Sequence, residues 1–97
     1  MQIIVNAINF DLTEALNQKI DVKLKHLSHY NNEIQTIEVF LKVVKSQKNV
    51  RLLAKSKKEQ LFSEASDPAD MYRAINQAAN RLEKQLIKTK KQKAEHH

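Results

Sequence analysis

The chain contains no glycine, no cysteine, no tryptophan and a single proline. Without glycine it has no phosphate-cradling loop of the P-loop type, no dinucleotide fingerprint and no nucleophile elbow, because each needs backbone without a Cβ at a fixed position. Any turn that requires a positive φ must use Asn or Asp instead, and Asn31 and Asn32 are the residues expected to take that role. Without cysteine there is no disulfide framework and no thiol chemistry. No apolar run approaches the length needed to span a bilayer. The N-terminus lacks the basic region and long apolar stretch of a secretory leader, so the expectation is a cytoplasmic chain with no membrane partner.

What the sequence has in excess is positive charge. Its 97 residues carry 17 Lys and Arg against 11 Asp and Glu, a formal net charge of +6. The excess is unevenly placed: residues 1–40 sum to −2, residues 41–66 to +5 and residues 67–97 to +3. Such asymmetry favours a nucleic-acid partner over an acidic small molecule. The plainer alternative is a soluble surface that happens to be rich in lysine.

Hydrophobic periodicity sets out six elements. Residues 2–8, rich in Ile and Val, read as a strand. Asp11 or Thr13 then opens a helix in which Leu16, Ile20, Leu24 and Leu27 share one face, with Lys19, Lys23 and His26 in a row along its flank. Residues 28–33 are polar and turn-like. Residues 34–45 alternate, with Ile37, Val39, Leu41 and Val43 on one side and Glu38, Phe40, Lys42 and Val44 on the other, as in a half-buried strand. A turn is expected over residues 46–49 and a second over residues 56–59. Between and after them Val50, Leu52 and Ala54, then Leu61, Ser63 and Ala65, alternate in the same way.

The last helix organises the rest. Asp67 is placed to cap its first turn, Pro68 suits the first helical position and Asp70 has the spacing of a capping box. Met71, Ile75, Ala78, Ala79, Leu82 and Leu86 form an apolar stripe, and Arg81, Lys84, Lys88 and Lys91 a basic stripe beside it. The order is β-α-β-β-β-α. The expected fold is α+β: a four-stranded sheet with both helices packed on one face, forming a single domain over residues 1–90 and a charged, flexible tail over residues 91–97. His96 and His97 are either native or a vector remnant.

At this point the sequence resembles a known family. Asp70-Met71-Tyr72-Arg73-Ala74-Ile75-Asn76 resembles the D-M-Y-x-A-I-[DN] motif of the ribosome hibernation promoting factor family, also called ribosome-associated inhibitor A. Arg81-Leu82-Glu83-Lys84-Gln85-Leu86 is similar to its K-L-E-[RK]-Q-L segment, Thr13-Glu14-Ala15-Leu16 to its T-E-A-[LI] and Lys23-Leu24-Lys25-His26-Leu27 to its [KR]-L-x-K-L. The resemblance implies a double-stranded-RNA-binding-domain-like fold. It also implies binding to the small ribosomal subunit and its rRNA in the channel for messenger and transfer RNA, across the A and P sites. The implied outcome is translation inhibition and preservation of idle ribosomes in stationary phase or stress. The family's basic residues on both helices contact ribosomal RNA, and they fall here on Lys23, Arg81, Lys84, Lys88 and Lys91. With Lys19 and His26 of the same row and Lys25 of the same motif, the candidate RNA-binding set is Lys19, Lys23, Lys25, His26, Arg81, Lys84, Lys88 and Lys91.

Some positions depart from the family pattern. Lys57-Lys58 stands where glycine is usual, His26 replaces a lysine, which makes that contact either pH-sensitive or weaker, and Pro68 reads as an insertion. The chain is most similar to the short form, which pairs ribosomes into inactive dimers with a separate modulation factor and is expected to be a monomer off the ribosome.

Other readings of the same residues are blander. Asp67 and Asp70 sit where helix N–H groups need acceptors, so they are read as caps and not as a catalytic pair. Tyr72 flanks the apolar seam and is read as packing. His26 and His29 offer two ligands with no third, a poor basis for a metal site. Phe40, Leu53 and Phe62 share the sheet face away from the helices; mutual shelter explains them better than base stacking, because the aromatic pattern of an RNA-recognition sheet is absent. No catalysis, cofactor or metal is expected. A structured-RNA-binding domain acting outside the ribosome and a small protein–protein adaptor are the alternative functions.

Overall fold

The computed structural model describes residues 1–31 and 33–95, with side chains as far as residue 89. Four strands, β1 (Gln2–Ile8), β2 (Thr36–Val44), β3 (Gln47–Lys55) and β4 (Gln60–Asp67), form one sheet in the order β1-β2-β3-β4. β1 runs parallel to β2, and the other two pairings are antiparallel. Two helices, α1 (Glu14–Lys25) and α2 (Met71–Glu95), cover one face. A 3₁₀ turn, His26–His29, follows α1 directly. α2 lies over β3 and β4 and touches α1, which itself lies beside β1. The order and the α+β class are those expected from the sequence.

Alternation puts one residue in two on the helix side of the sheet. Ile37, Val39, Leu41, Val50 and Leu52 are fully buried there, facing Ile20 and Leu24 of α1 and Ile75, Ala78, Ala79 and Leu82 of α2. Each such Leu, Ile or Val contributes about 1.5–3 kcal/mol through the apolar surface it withdraws from water. The small side chains of Ala74, Ala78 and Ala79 bring α2 close to the strands. At that approach the buried Ser63 hydroxyl donates to the main-chain carbonyl of Ala78 at 2.8 Å.

Local chemistry decides between the two caps offered for α1 and differs from the sequence expectation in three places: the start of α2, the β2–β3 turn and the positive-φ positions. The N-cap of α1 is Thr13, whose Oγ1 accepts from the Leu16 N–H at 3.1 Å; Asp11 is not used. The N-cap of α2 is Asp70: its Oδ1 accepts from the N–H of Tyr72 at 2.9 Å, and its carbonyl accepts from Ala74. Asp67 is the last residue of β4 and Pro68 lies outside the helix, because Asp67 binds the N–H groups of Ala69 and Asp70 in a turn of its own. The β2–β3 turn is the two residues Lys45 and Ser46, with Gln47 already paired to Val44. Lys45 at φ 54° and Asn9 at φ 64° supply the positive φ values among the described residues; Asn31 does not, and Asn32 lies outside them. The 56–59 turn does form where expected, closed by a hydrogen bond from the Ser56 N–H to the Glu59 carbonyl at 3.0 Å. The α2 backbone remains helical through Glu95.

Candidate nucleic-acid interface

The two helices form a layer on which the candidate cations can be located one by one. The orientation of α2 follows from its contacts. Tyr72 faces α1, with Nζ of Lys19 4.7 Å from its ring centroid. Glu83 faces the 3₁₀ turn, where the Tyr30 hydroxyl donates to its Oε1 at 2.6 Å. Arg81 and Gln85 face the opposite way. Arg81 donates from Nη1 to the Glu64 carbonyl, and Gln85 donates from Nε2 to the Phe62 carbonyl at 2.7 Å. Nine residues separate Tyr72 from Arg81, a half-turn out of phase at 100° per residue, which is why they serve opposite flanks.

Arg81 and Gln85 therefore hydrogen-bond carbonyls on the outer side of β4, covering an edge that would otherwise present unpaired backbone groups. Lys84 and Lys88 lie on the outward side of the same flank. Both are exposed and make no bond to another group among the described residues. Glu83 is the one acid between Met71 and Thr89, and its carboxylate is held by Tyr30 on the α1 side, away from the basic row. That hydrogen bond to Glu83, more than burial, raises the Tyr30 pKa. The side chain of Lys91 lies outside the described residues.

On α1 the cations divide. Lys19 and Lys23 line a shallow groove between α1 and the start of α2, floored by Ala15, Val22 and Tyr72. Lys25 is two residues from Lys23 and so points elsewhere; it pairs with Asp21 at 2.9 Å. His26 is exposed beyond the end of α1, edge-on to His29 at 5.1 Å and to Tyr30 at 6.1 Å. The structure brings Lys19 together with Lys23, and Arg81 together with Lys84 and Lys88. The two groups sit on opposite flanks of α2 and do not form one continuous stripe.

The opposite sheet face carries Phe40, Leu53 and Phe62 around a depression of about 410 Å³, bounded also by Ile8, Val44, Lys42 and Arg51. Phe62 is 48% exposed. Cross-strand ion pairs run beside it, Lys55 to Glu38 at 2.9 Å and Arg51 to Glu64 at 3.4 Å. The densest positive segment, residues 41–66, belongs to this sheet and its turns, yet none of its residues entered the set read from the sequence. Lys45 stands in the turn at one end of the sheet and Lys57 and Lys58 in the turn at the other. The charge block was the signal available; its position in the fold was not.

Known proteins resemble this chain in sequence and in fold. A family model described as sigma 54 modulation protein / S30EA ribosomal protein matches residues 3–94. A ribosome hibernation promoting factor from Azotobacter vinelandii is 27% identical over 95 residues, 98% of this chain and 88% of that protein. A solved structure of a ribosomal subunit interface protein from Coxiella burnetii superposes with a TM-score of 0.86 at 27% identity, covering 93% of this chain and 98% of that one. The N-terminal domain of Protein Y from Thermus thermophilus shares the fold, with a TM-score of 0.78 at 24% identity over 91% of this chain and 94% of that one.

Proposed function

The chain belongs to the sigma 54 modulation protein / S30EA ribosomal protein family, and we propose that it is a ribosome hibernation factor that binds the small ribosomal subunit in the channel for messenger and transfer RNA. It occupies the A and P sites, inhibits translation without catalysis and preserves idle ribosomes. With a separate modulation factor it promotes inactive ribosome dimers; off the ribosome it is a monomer of the cytoplasm.

The observation that carries this reading is the family match over residues 3–94, which takes in α1, all but the last residue of α2 and every candidate cation. The names of the Azotobacter and Coxiella relatives point the same way. The geometry supplies a physical means. Lys84 and Lys88 have no partner among the described residues and stand on a helix whose apolar side is buried in the core, so they meet phosphates without reorganising the fold. Each cation that neutralises a phosphate releases condensed counterions, which gives affinity with no need to read a base. A domain held in the channel by such contacts inhibits by excluding messenger and tRNA.

Co-sedimentation with isolated small subunits across a series of salt concentrations tests the electrostatic part. Four to six phosphate contacts predict a slope of log affinity against log salt of roughly −3 to −5. A slope near zero would contradict this account and point to the apolar sheet face.

A further inference from the structure

At the edge of β4 two arginines from different elements are anchored by one residue. Arg81 of α2 donates to the Glu64 main-chain carbonyl, and Nε of Arg51 on β3 lies 3.4 Å from the Glu64 carboxylate. They line a common cleft of about 410 Å³, with Asn49 and Ser66 beside them. We propose that this cleft is a phosphate site, taking one backbone phosphodiester of the same RNA that the α2 row contacts. The proposal rests on the RNA-binding reading above.

The charge arithmetic favours an anion. Two guanidiniums share one carboxylate, because the group that holds Arg81 is a neutral carbonyl, so the cleft retains a net positive charge. The Arg51–Glu64 pair is weak: its side chains are 66% and 59% exposed, where solvent screens the attraction. A phosphate presents oxygens that accept two parallel N–H bonds from a guanidinium, a geometry a lysine cannot match. Arg81 spends one of its five donors on the carbonyl and keeps the rest. The Asn49 amide and the Ser66 hydroxyl add neutral donors on the cleft wall. The hydrogen bond to the Glu64 carbonyl also holds the Arg81 side chain before the ligand arrives, which lowers the ordering cost. Continuity argues for RNA as the source. Lys84 and Lys88 follow Arg81 along α2 at steps of three and four residues, about 10 Å of helix in all, so a strand crossing that row reaches the cleft at its end.

Two measurements on the full chain test this. In the first, inorganic phosphate is titrated against chloride at matched ionic strength while the arginine side-chain N–H resonances are followed by NMR. Saturable shifts confined to Arg51 and Arg81, and lost in Arg51→Gln, are expected; absent or diffuse shifts overturn the site. In the second, small-subunit binding is compared for Arg51→Gln and for Lys58→Gln, which removes the same charge from a turn outside the cleft. Arg51→Gln should bind roughly three- to tenfold more weakly, with the salt slope reduced by about 0.9 relative to the parent. If Arg51→Gln matches Lys58→Gln in both affinity and slope, the proposal falls while the parent reading stands. If the unmodified chain does not bind subunits, the parent reading falls, and the RNA assignment of the cleft with it.

Discussion

Asp67 is 5% exposed, and its carboxylate accepts the N–H groups of Ala69 and Asp70 at 2.9 and 2.8 Å. Those two hydrogen bonds, Ala69's first, hold its pKa below the usual carboxylate value, with a lesser contribution from Arg73 at 3.7 Å. Because the folded pKa is depressed, the stabilisation is complete above the unfolded value of about 4 and is lost as pH falls through the folded one. Thermal melts from pH 5 downward should show this loss. Asp67→Asn keeps an acceptor oxygen but removes the charge, and should flatten the acid limb; an unchanged limb would contradict the assignment. Ser63 offers a second test at this scale. Its hydroxyl bonds the Ala78 carbonyl in the core, so Ser63→Ala should cost about 1 kcal/mol by urea unfolding while leaving subunit binding intact.

For the elements, the central case is α2, whose two flanks have different tasks. The flank bearing Tyr72 and Glu83 meets α1 and the 3₁₀ turn, and the flank bearing Arg81 and Gln85 seals β4. Lys84 and Lys88 are charge carriers with no tie to another group among the described residues. Lys84→Glu with Lys88→Glu should therefore shift stability by no more than about 0.5 kcal/mol per site, while weakening co-sedimentation with ribosomes at least tenfold. Phe40→Ser with Phe62→Ser removes the apolar centre of the open sheet face and leaves every cation in place; this pair should still bind. A folded charge-reversal pair that binds normally, beside a Phe pair that does not, would transfer the interface to the sheet. The apolar seam of α2 was legible in the sequence because a 3.6-residue period is written into Ile75, Ala78, Ala79, Leu82 and Leu86. The start of the helix was misread by three residues. Asp67 and Asp70 carry identical capping chemistry, and only the end of β4 decides between them. The bond from Arg81 to the β4 edge was not legible at all, since it depends on how α2 crosses a strand 17 residues away in sequence. Lys45 at positive φ was missed for a related reason: with no glycine available, the hairpin register places a lysine where a turn preference would have chosen Asn.

Across the whole molecule, cations lie on both flanks of α2 and round the β4 edge, so a channel walled by RNA suits this domain better than a flat surface. α1 brings Lys19 and Lys23 to the inter-helix groove, α2 brings Lys84 and Lys88 outward, and Arg51 with Arg81 extends the positive surface round the β4 edge. The order of the elements, the faces and the family were all open to reading from the sequence, but the place of β1 beside β2 and the division of the cations between flanks came only with the packed sheet and helices. Occupancy of the messenger and tRNA channel is the claim on which the account depends, and competition measures it directly. Small subunits would be loaded with messenger and a P-site tRNA, and binding of the chain compared with that to empty subunits at the same salt. The account predicts markedly reduced binding to the loaded particles. Undiminished binding, with messenger and tRNA still in place, would contradict it.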